Sequence, residues 1–437
     1  MRIYRLLAML MCCLLPVTAQ AQSLLLDAEA MDYLKTMATP LLKAANVPPE
    51  TAQVFIINDP QINAFVTPER RIYFYTGLID KAENYNQLEG VLAHEIGHIK
   101  GRHHLKAMAV QDKMKWPALI GTIVGVGAMA AAGANAAGQA ILTAGLATSA
   151  TNTLKFTRGQ EQQADQIGLQ LLKSTQTSPL GLAQFFNILQ VESTLFARTP
   201  PAYLLTHPMP SARLDFIKQY LPKSESNTLD ETKTETFKRV KAKIMALTST
   251  PGQTLRQYMQ DTSETALYAK TIAYALQGKK KESYNLINQL IKSHPDDYFY
   301  QELKAQLLVD HGEVKEAIDI YSKISKERED LPLVHLQYAD ALVAIDKANE
   351  ALPYYHRVLR IFPEWGSIHH RLGVAYGKAG ELAASHISLS QEAILDKKLD
   401  EAQLHLNTAA QYLDTANAAT KQRFTLLKEA LADARDE

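Results

Sequence analysis

The sequence predicts an α+β chain that is mostly helical, with a mixed domain first and an all-α solenoid of tetratricopeptide repeats after it. Three observations predict it. Short apolar strand-like runs lie among helical periodicities between residues 27 and 221, and one of those helices carries His94-Glu95-Ile96-Gly97-His98. Beyond Glu264 the chain repeats itself every 34 residues. At 437 residues it is too long for one hydrophobic core, since cores stop growing near ~250–300 residues.

The first 21 residues read as an export leader. Arg2 and Arg5 form a positive start, residues 6–17 an apolar run, and Ala19-Gln20-Ala21 a small-residue cleavage site. The apolar run is too short to span a bilayer. The chain's 2 cysteines, Cys12 and Cys13, leave with it, which suits an oxidising compartment. With 46 basic and 46 acidic residues there is no bulk attraction to nucleic acid or to an anionic membrane.

From residue 27 to 45, Met31, Leu34, Met37, Leu41 and Leu42 recur at helical spacing. Val54-Phe55-Ile56-Ile57 then reads as a strand, stopped by Asn58-Asp59-Pro60. Ala64-Phe65-Val66 and Arg71-Ile72-Tyr73-Phe74-Tyr75 read as two more, joined by a Thr67-Pro68 turn. The histidine-bearing helix is expected over 86–106, with Asn86-Gln87-Leu88-Glu89 as a capping box and Leu88, Val91, Leu92 and Ile96 facing a core.

On that helix His94 and His98 share a face about 6 Å apart along the axis. Two imidazoles so spaced can reach one metal ion, with Glu95 beside them to take a proton from water. The bland alternative is a helix with two surface histidines. The motif points to a zincin-type metallopeptidase of the gluzincin-like HExxH kind, holding one zinc ion per chain. Such a site needs a third protein ligand and an open fourth position. Glu161 and Asp165, four apart in Glu161-Gln162-Gln163-Ala164-Asp165, are the candidates: Glu161 as ligand, Asp165 as the residue that steadies a ligand histidine. The reverse assignment and a plain solvated acidic face are the alternatives. Arg213, Tyr203 or a histidine could stabilise the oxyanion. His207, in Thr206-His207-Pro208, sits on a proline-braced loop that could bring it to the metal. His103 and His104 are expected to be structural or exposed.

Residues 116–154 carry no charge and are dominated by alanine and glycine. They are expected to form a lid or a membrane-contacting segment, and they make a poor membrane span because Ala and Gly add little transfer energy. Helices are expected over 156–173, 179–195 and 210–221. A polar run at 223–236 marks a boundary or the start of a connecting helix.

The repeats begin at 264, 298, 332 and 366. Their small crossing position is Thr271, Ala305, Ala339 and Gly373, and their turn position Gly278, Gly312, Asp346 and Gly380. Four units in strict phase match the tetratricopeptide pattern, with 399–437 as a degenerate pair or cap. The expected domains are therefore a leader (1–21), a metallopeptidase domain (22–222), a linker with a connecting helix (223–263) and a repeat domain (264–437).

Asn63-Ala64-Phe65, Tyr75-Thr76-Gly77-Leu78, the 94–98 and 161–165 motifs and Thr206-His207-Pro208 together resemble the zinc peptidase family that includes the CAAX prenyl proteases and their soluble bacterial relatives. The resemblance implies His94, His98 and Glu161 as zinc ligands, Glu95 as catalytic base and His207 as a reversible extra ligand. It also implies that the strand near 63–66 is an edge for an extended substrate. With a leader in front and repeats behind, the whole chain is similar to exported, repeat-bearing members of that family. That implies a periplasmic enzyme acting on misfolded or stalled outer-membrane β-barrel proteins, its repeats docked on the barrel-assembly machinery. Some relatives carry a disulfide in the repeat domain, for which residues 264–437 of this chain contain no cysteine. The competing expectations are a chaperone or scaffold with a largely latent site, and an integral membrane peptidase.

Overall fold

The computed structural model of the chain describes residues 23–103, 156–195, 201–208, 211–221 and 229–436. The expected leader, the uncharged 116–154 segment, His104 and the start of the polar run at 223 lie outside these residues. Among the described residues no helix is long and apolar enough to cross a membrane.

A four-stranded sheet forms the floor of the first half. Its strands are β1 (Ser23–Leu24), β2 (Gln53–Asn58), β3 (Ala64–Val66) and β4 (Arg71–Tyr75), in the order β1-β2-β4-β3. β2 and β4 run parallel, with Val54 opposite Ile72, and the outer pairs are antiparallel. The strands are buried on both faces because their side chains alternate. Val54, Ile56, Ala64, Val66, Ile72 and Phe74 enter the core of the first half. Phe55 points the other way and joins the core of the solenoid, 6.0 Å from the Trp365 ring and 6.1 Å from Phe362.

Helix α1 (Ala28–Ala44) is capped by Asp27, whose side chain accepts from the Ala30 N–H. Helix α2 (Thr76–Lys81) leads into α3 (Tyr85–Lys100), which runs through the middle of the first core and is buried almost throughout. The expected bounds of α3 are corrected at both ends. Asn84, not Asn86, caps it by accepting from Gln87 N–H at 3.2 Å, so burial of Tyr85 falls inside the helix. It stops at Lys100 rather than 106, because Gly101 caps it and Arg102 turns into the left-handed region at φ 52°.

Helix α4 (Arg158–Ser174), started by a Thr157–Gln160 capping box, and α5 (Leu180–Leu195) pack directly on α3. Glycines let them come close. A Cβ on Gly97 would lie 2.5 Å from the Ala164 carbonyl oxygen, and one on Gly90 would lie 2.6 Å from the Leu182 nitrogen. A short helix α6 (Ala202–Thr206) and α7 (Ser211–Gln219) complete this half.

Helix α8 (Glu231–Thr248) occupies the expected linker, followed by α9 (Pro251–Gln257). It belongs to two cores at once. Phe237, Val240 and Ile244 enter the first, while Ala242 and Ala246 enter the core of the first repeat. Lys243 is buried between them, 2.9 Å from Asp27, 3.2 Å from Glu29 and 3.6 Å from Glu302.

The solenoid keeps the 34-residue phase. Its first helices begin at Glu264, Tyr298, Pro332 and Gly366, and its second helices at Lys280, Val314, Ala348 and Leu382. The turn residues Gly278, Gly312, Asp346 and Gly380 all have left-handed φ, between 60° and 82°, which explains glycine at three of the four. Thr271, Ala305 and Ala339 are fully buried where the helices cross. A final pair, Leu399–Ala410 and Ala418–Asp436, closes the array.

Candidate metal centre

His94 and His98 stand on α3, and Glu161 and Asp165 on α4, where the Gly97–Ala164 contact draws the two helices together. His207 follows α6 and arrives from the opposite side, its ring stacked on Tyr203 at 4.4 Å. Donor atoms of His94, His98, Glu161 and His207 all lie within 4.8 Å of one another.

The spacing of these donors fits a small divalent cation. His98 Nε2 is 3.1 Å from His94 Nε2 and 3.3 Å from Glu161 Oε1. His207 Nδ1 is 3.1 Å from Glu161 Oε1 and 3.5 Å from His94 Nε2, and His94 Nε2 is 3.6 Å from Glu161 Oε2. Ligands about 2.0–2.1 Å from a tetrahedral ion stand about 3.3 Å from each other, and the observed edges scatter around that value. Two imidazole nitrogens facing each other at the centre of a buried carboxylate cluster form a donor set suited to a cation.

The outer atoms of the set are tied down. His94 Nδ1 lies 2.9 Å from Asp165 Oδ1. Asp165 is gripped by Arg213, whose Nε donates to Oδ2 at 2.6 Å and Nη2 to Oδ1 at 2.8 Å. Arg213 Nη1 also reaches Glu161 Oε2 at 2.5 Å and donates to the Pro208 carbonyl at 3.0 Å. The same guanidinium lies 5.0 Å above the Phe186 ring. Arg213 is thus committed to carboxylates and to the loop behind His207, and the expectation that it could serve as an oxyanion donor is corrected. Tyr203 keeps that option, with its hydroxyl 3.4 Å from Glu95 Oε1.

Burial and pairing set the protonation. His94, Glu95, His98, Glu161, Asp165 and His207 are all 0% exposed. Burial lifts the Glu95 carboxyl above the ordinary range, which favours a group that takes up a proton. Burial opposes the charge on Glu161, yet His207 and the hydrogen bonds of the three histidines hold its carboxyl well below the usual value. Burial likewise opposes a His94 cation, but Asp165 and Glu161 outweigh it and raise His94 to about 9. Burial keeps the Tyr203 hydroxyl protonated far above neutral pH, so it remains a donor. Glu95 Oε2 is buried without a hydrogen-bond partner among the described residues.

The structure brings together every site residue expected from the sequence, and it adds two. Phe156 stacks on His98 with ring centroids 3.8 Å apart. His103 is buried beneath His98, its Nδ1 3.0 Å from His98 Nδ1, so of the two expectations for it exposure is the one corrected. On an unbroken helix His103 would point away. Gly101 is the signal that the helix stops in time to fold it back.

Comparison with known proteins decides the family of this half. Residues 28–221 match the model of peptidase family M48. The chain carries an M48 metallopeptidase domain. The likeness extends beyond the M48 domain into the repeats. The chain is 25% identical over 351 residues to the β-barrel assembly-enhancing protease of Yersinia pestis, covering 78% of this chain and 71% of that protein. It is also 25% identical over 336 residues to the protein of the same name from Escherichia coli K12, covering 74% and 67%. The metalloprotease LoiP of Escherichia coli K12 is 31% identical over 167 residues, 37% of this chain and 59% of that one. The M48 match thus covers the half with the candidate metal cluster, and the matches to the longer relatives run on into the repeat half of this chain.

Proposed function

We propose that this chain is a zinc-dependent endopeptidase of the periplasm, holding one zinc ion, that acts in the assembly and quality control of outer-membrane β-barrel proteins. The observation that carries the reading is the convergence of His94, His98, Glu161 and His207, with Glu95 one residue from the first of them. The name shared by the longer relatives supports the substrate class, and the leader-like start supports export.

His94, His98 and Glu161 would hold the ion, and Asp165 keeps His94 in place through its outer nitrogen. A zinc ion held there would supply Lewis acidity toward the scissile carbonyl and toward water, whose proton would become labile near neutral pH. Glu95 accepts that proton and hands it to the leaving amine. The Tyr203 hydroxyl, held beside Glu95, donates to the oxygen that gains charge. β3, which ends the sheet among the described residues, receives the substrate as an added strand once it is uncovered, since Ala64, Phe65 and Val66 are all buried in this form.

In this form the site is closed. His207, whose donor atom lies among those of the other three, would take the position that water and substrate need, and all four residues are fully buried. Activity therefore requires the loop after α6 to withdraw His207. The repeats dock substrates and the barrel-assembly machinery, and the 116–154 segment acts as lid or peripheral membrane contact.

The test is Glu95→Gln in the purified full-length protein. Zinc content should stay at one per chain while cleavage of an unfolded outer-membrane barrel protein falls by at least ~100-fold. Retained cleavage, or a wild-type protein that binds no zinc, would overturn the reading.

A further inference from the structure

His94 and His98 are steadied in different ways, and the difference has a use. His94 gives its outer nitrogen to the Asp165 carboxylate. The outer nitrogen of His98 meets a second imidazole instead. Its Nδ1 lies 3.0 Å from Nδ1 of His103, and His103 Nε2 in turn lies 3.0 Å from Gln163 Oε1.

With the Gln163 amide oxygen turned toward His103, as it is here, and both rings neutral, one arrangement of protons satisfies this line of atoms. A carbonyl oxygen of Gln163 accepts and cannot donate, so the His103 proton sits on Nε2. His103 Nδ1 then carries a lone pair, and the hydrogen bond requires the His98 proton on Nδ1. That leaves the His98 lone pair on Nε2, the nitrogen facing Glu161 and His94. The opposite tautomer of His103 would set two N–H groups against each other at one end and two lone pairs at the other.

The local fold is shaped to make the contact. α3 ends at Lys100, Arg102 turns through left-handed backbone, and His103 returns under the last turn of the helix. A Cβ on Gly101 would lie 2.4 Å from His103 Nε2, so only glycine leaves room for that ring. Gln160 Nε2 donates to the His103 carbonyl at 3.3 Å, and Phe156 closes the other side of His98.

We propose that His103, itself oriented by Gln163, is a positioning residue that locks His98 in the tautomer presenting Nε2 to the metal. This rests on the reading of His98 as a ligand. Gln163 lies on the exposed side of α4, so a surface amide tunes the buried site through a two-ring relay.

The experiment measures zinc affinity of the full-length protein by competition with a chromophoric chelator. His103→Phe keeps the ring and removes the acceptor, and it should weaken zinc about 10–100-fold, as loss of such partners does elsewhere. His103→Gln, whose amide oxygen can accept, should recover part of that loss. Gln163→Leu should weaken zinc severalfold and shift the visible spectrum of the cobalt-substituted protein. The metal-free Gln163→Leu variant should melt as the wild type does. If His103→Phe folds and binds zinc as tightly as wild type, the proposal is overturned. If His103→Phe fails to fold, Gln163→Leu decides: unchanged affinity and an unchanged cobalt spectrum reject the relay. A wild-type protein without stoichiometric zinc would instead reject His98 as a ligand, so the two failures are distinct.

Discussion

Arg213 holds Asp165 through two parallel N–H donations, at 2.6 and 2.8 Å, and the same carboxylate faces His94 Nδ1 at 2.9 Å. A guanidinium on one helix therefore governs an imidazole on another through a shared acid. The fork geometry matters, because a lysine ammonium is a point charge and cannot match both oxygens. Arg213→Lys should lower zinc affinity with the fold retained. Arg213→Met should leave two buried carboxylates without their cation and destabilise the protein by about 3–5 kcal/mol. Denaturant unfolding of both variants, with chelator competition on the first, gives the comparison. Equal stability of Arg213→Met and wild type would refute the role.

Removal of the His207 imidazole should unmask activity. His207 sits 3.1 Å from Glu161 and 3.5 Å from His94, inside the donor set. His207→Ala should raise cleavage of an unfolded substrate severalfold while zinc content stays at one per chain. Unchanged or lower turnover with full metal would argue that His207 is a permanent part of the site.

Gly97 should tolerate no side chain. A methyl group there would meet the Ala164 carbonyl at 2.5 Å and push α4, with Glu161 and Asp165, away from the histidines. Gly97→Ala should cost about 1–3 kcal/mol through overpacking and weaken zinc as well. Thermal melting paired with metal titration checks both. A variant with native melting and native zinc affinity would show that the helices can part without harm.

The junction between the halves should respond to pH through Glu302. Burial raises its carboxyl from 4.5 to about 7, and neighbouring Lys243 only partly offsets this. The folded form therefore holds a proton that the unfolded chain releases earlier. The stability from that proton is complete below about pH 4.5 and disappears as the pH rises through about 7. Between pH 6 and 8 the wild type should lose on the order of 1 kcal/mol relative to Glu302→Gln. Parallel unfolding curves for the two proteins at both pH values would contradict it.

The sequence reveals some parts of this molecule more readily than others, for physical reasons. The solenoid is legible because each repeat contacts mainly its neighbours, so position 278 and position 312 face the same local demand. His94, Glu95 and His98 are legible because their geometry is set within one helical turn. Glu161 needs only the i,i+4 pairing with Asp165. The ends of α3 are harder to place, because Asn84 and Asn86 are equally good caps and only burial of Tyr85 chooses between them. The parallel pairing of β2 with β4 is hidden because β3 lies between them in the chain but outside them in the sheet. The partners of His103 and Arg213 are also out of view, since they come from helices about 60 and 48 residues away.

Helix α8 lends one flank to the core beneath the histidines and another to the first repeat, with Lys243 clasped by acids from both. Neither half can be trimmed away without stripping a wall from the other. A mechanical load on the solenoid, such as a partner pulling at its far end, is thus passed through a stiff rod rather than a slack tether. Peptidase and repeats should accordingly melt as a single cooperative body.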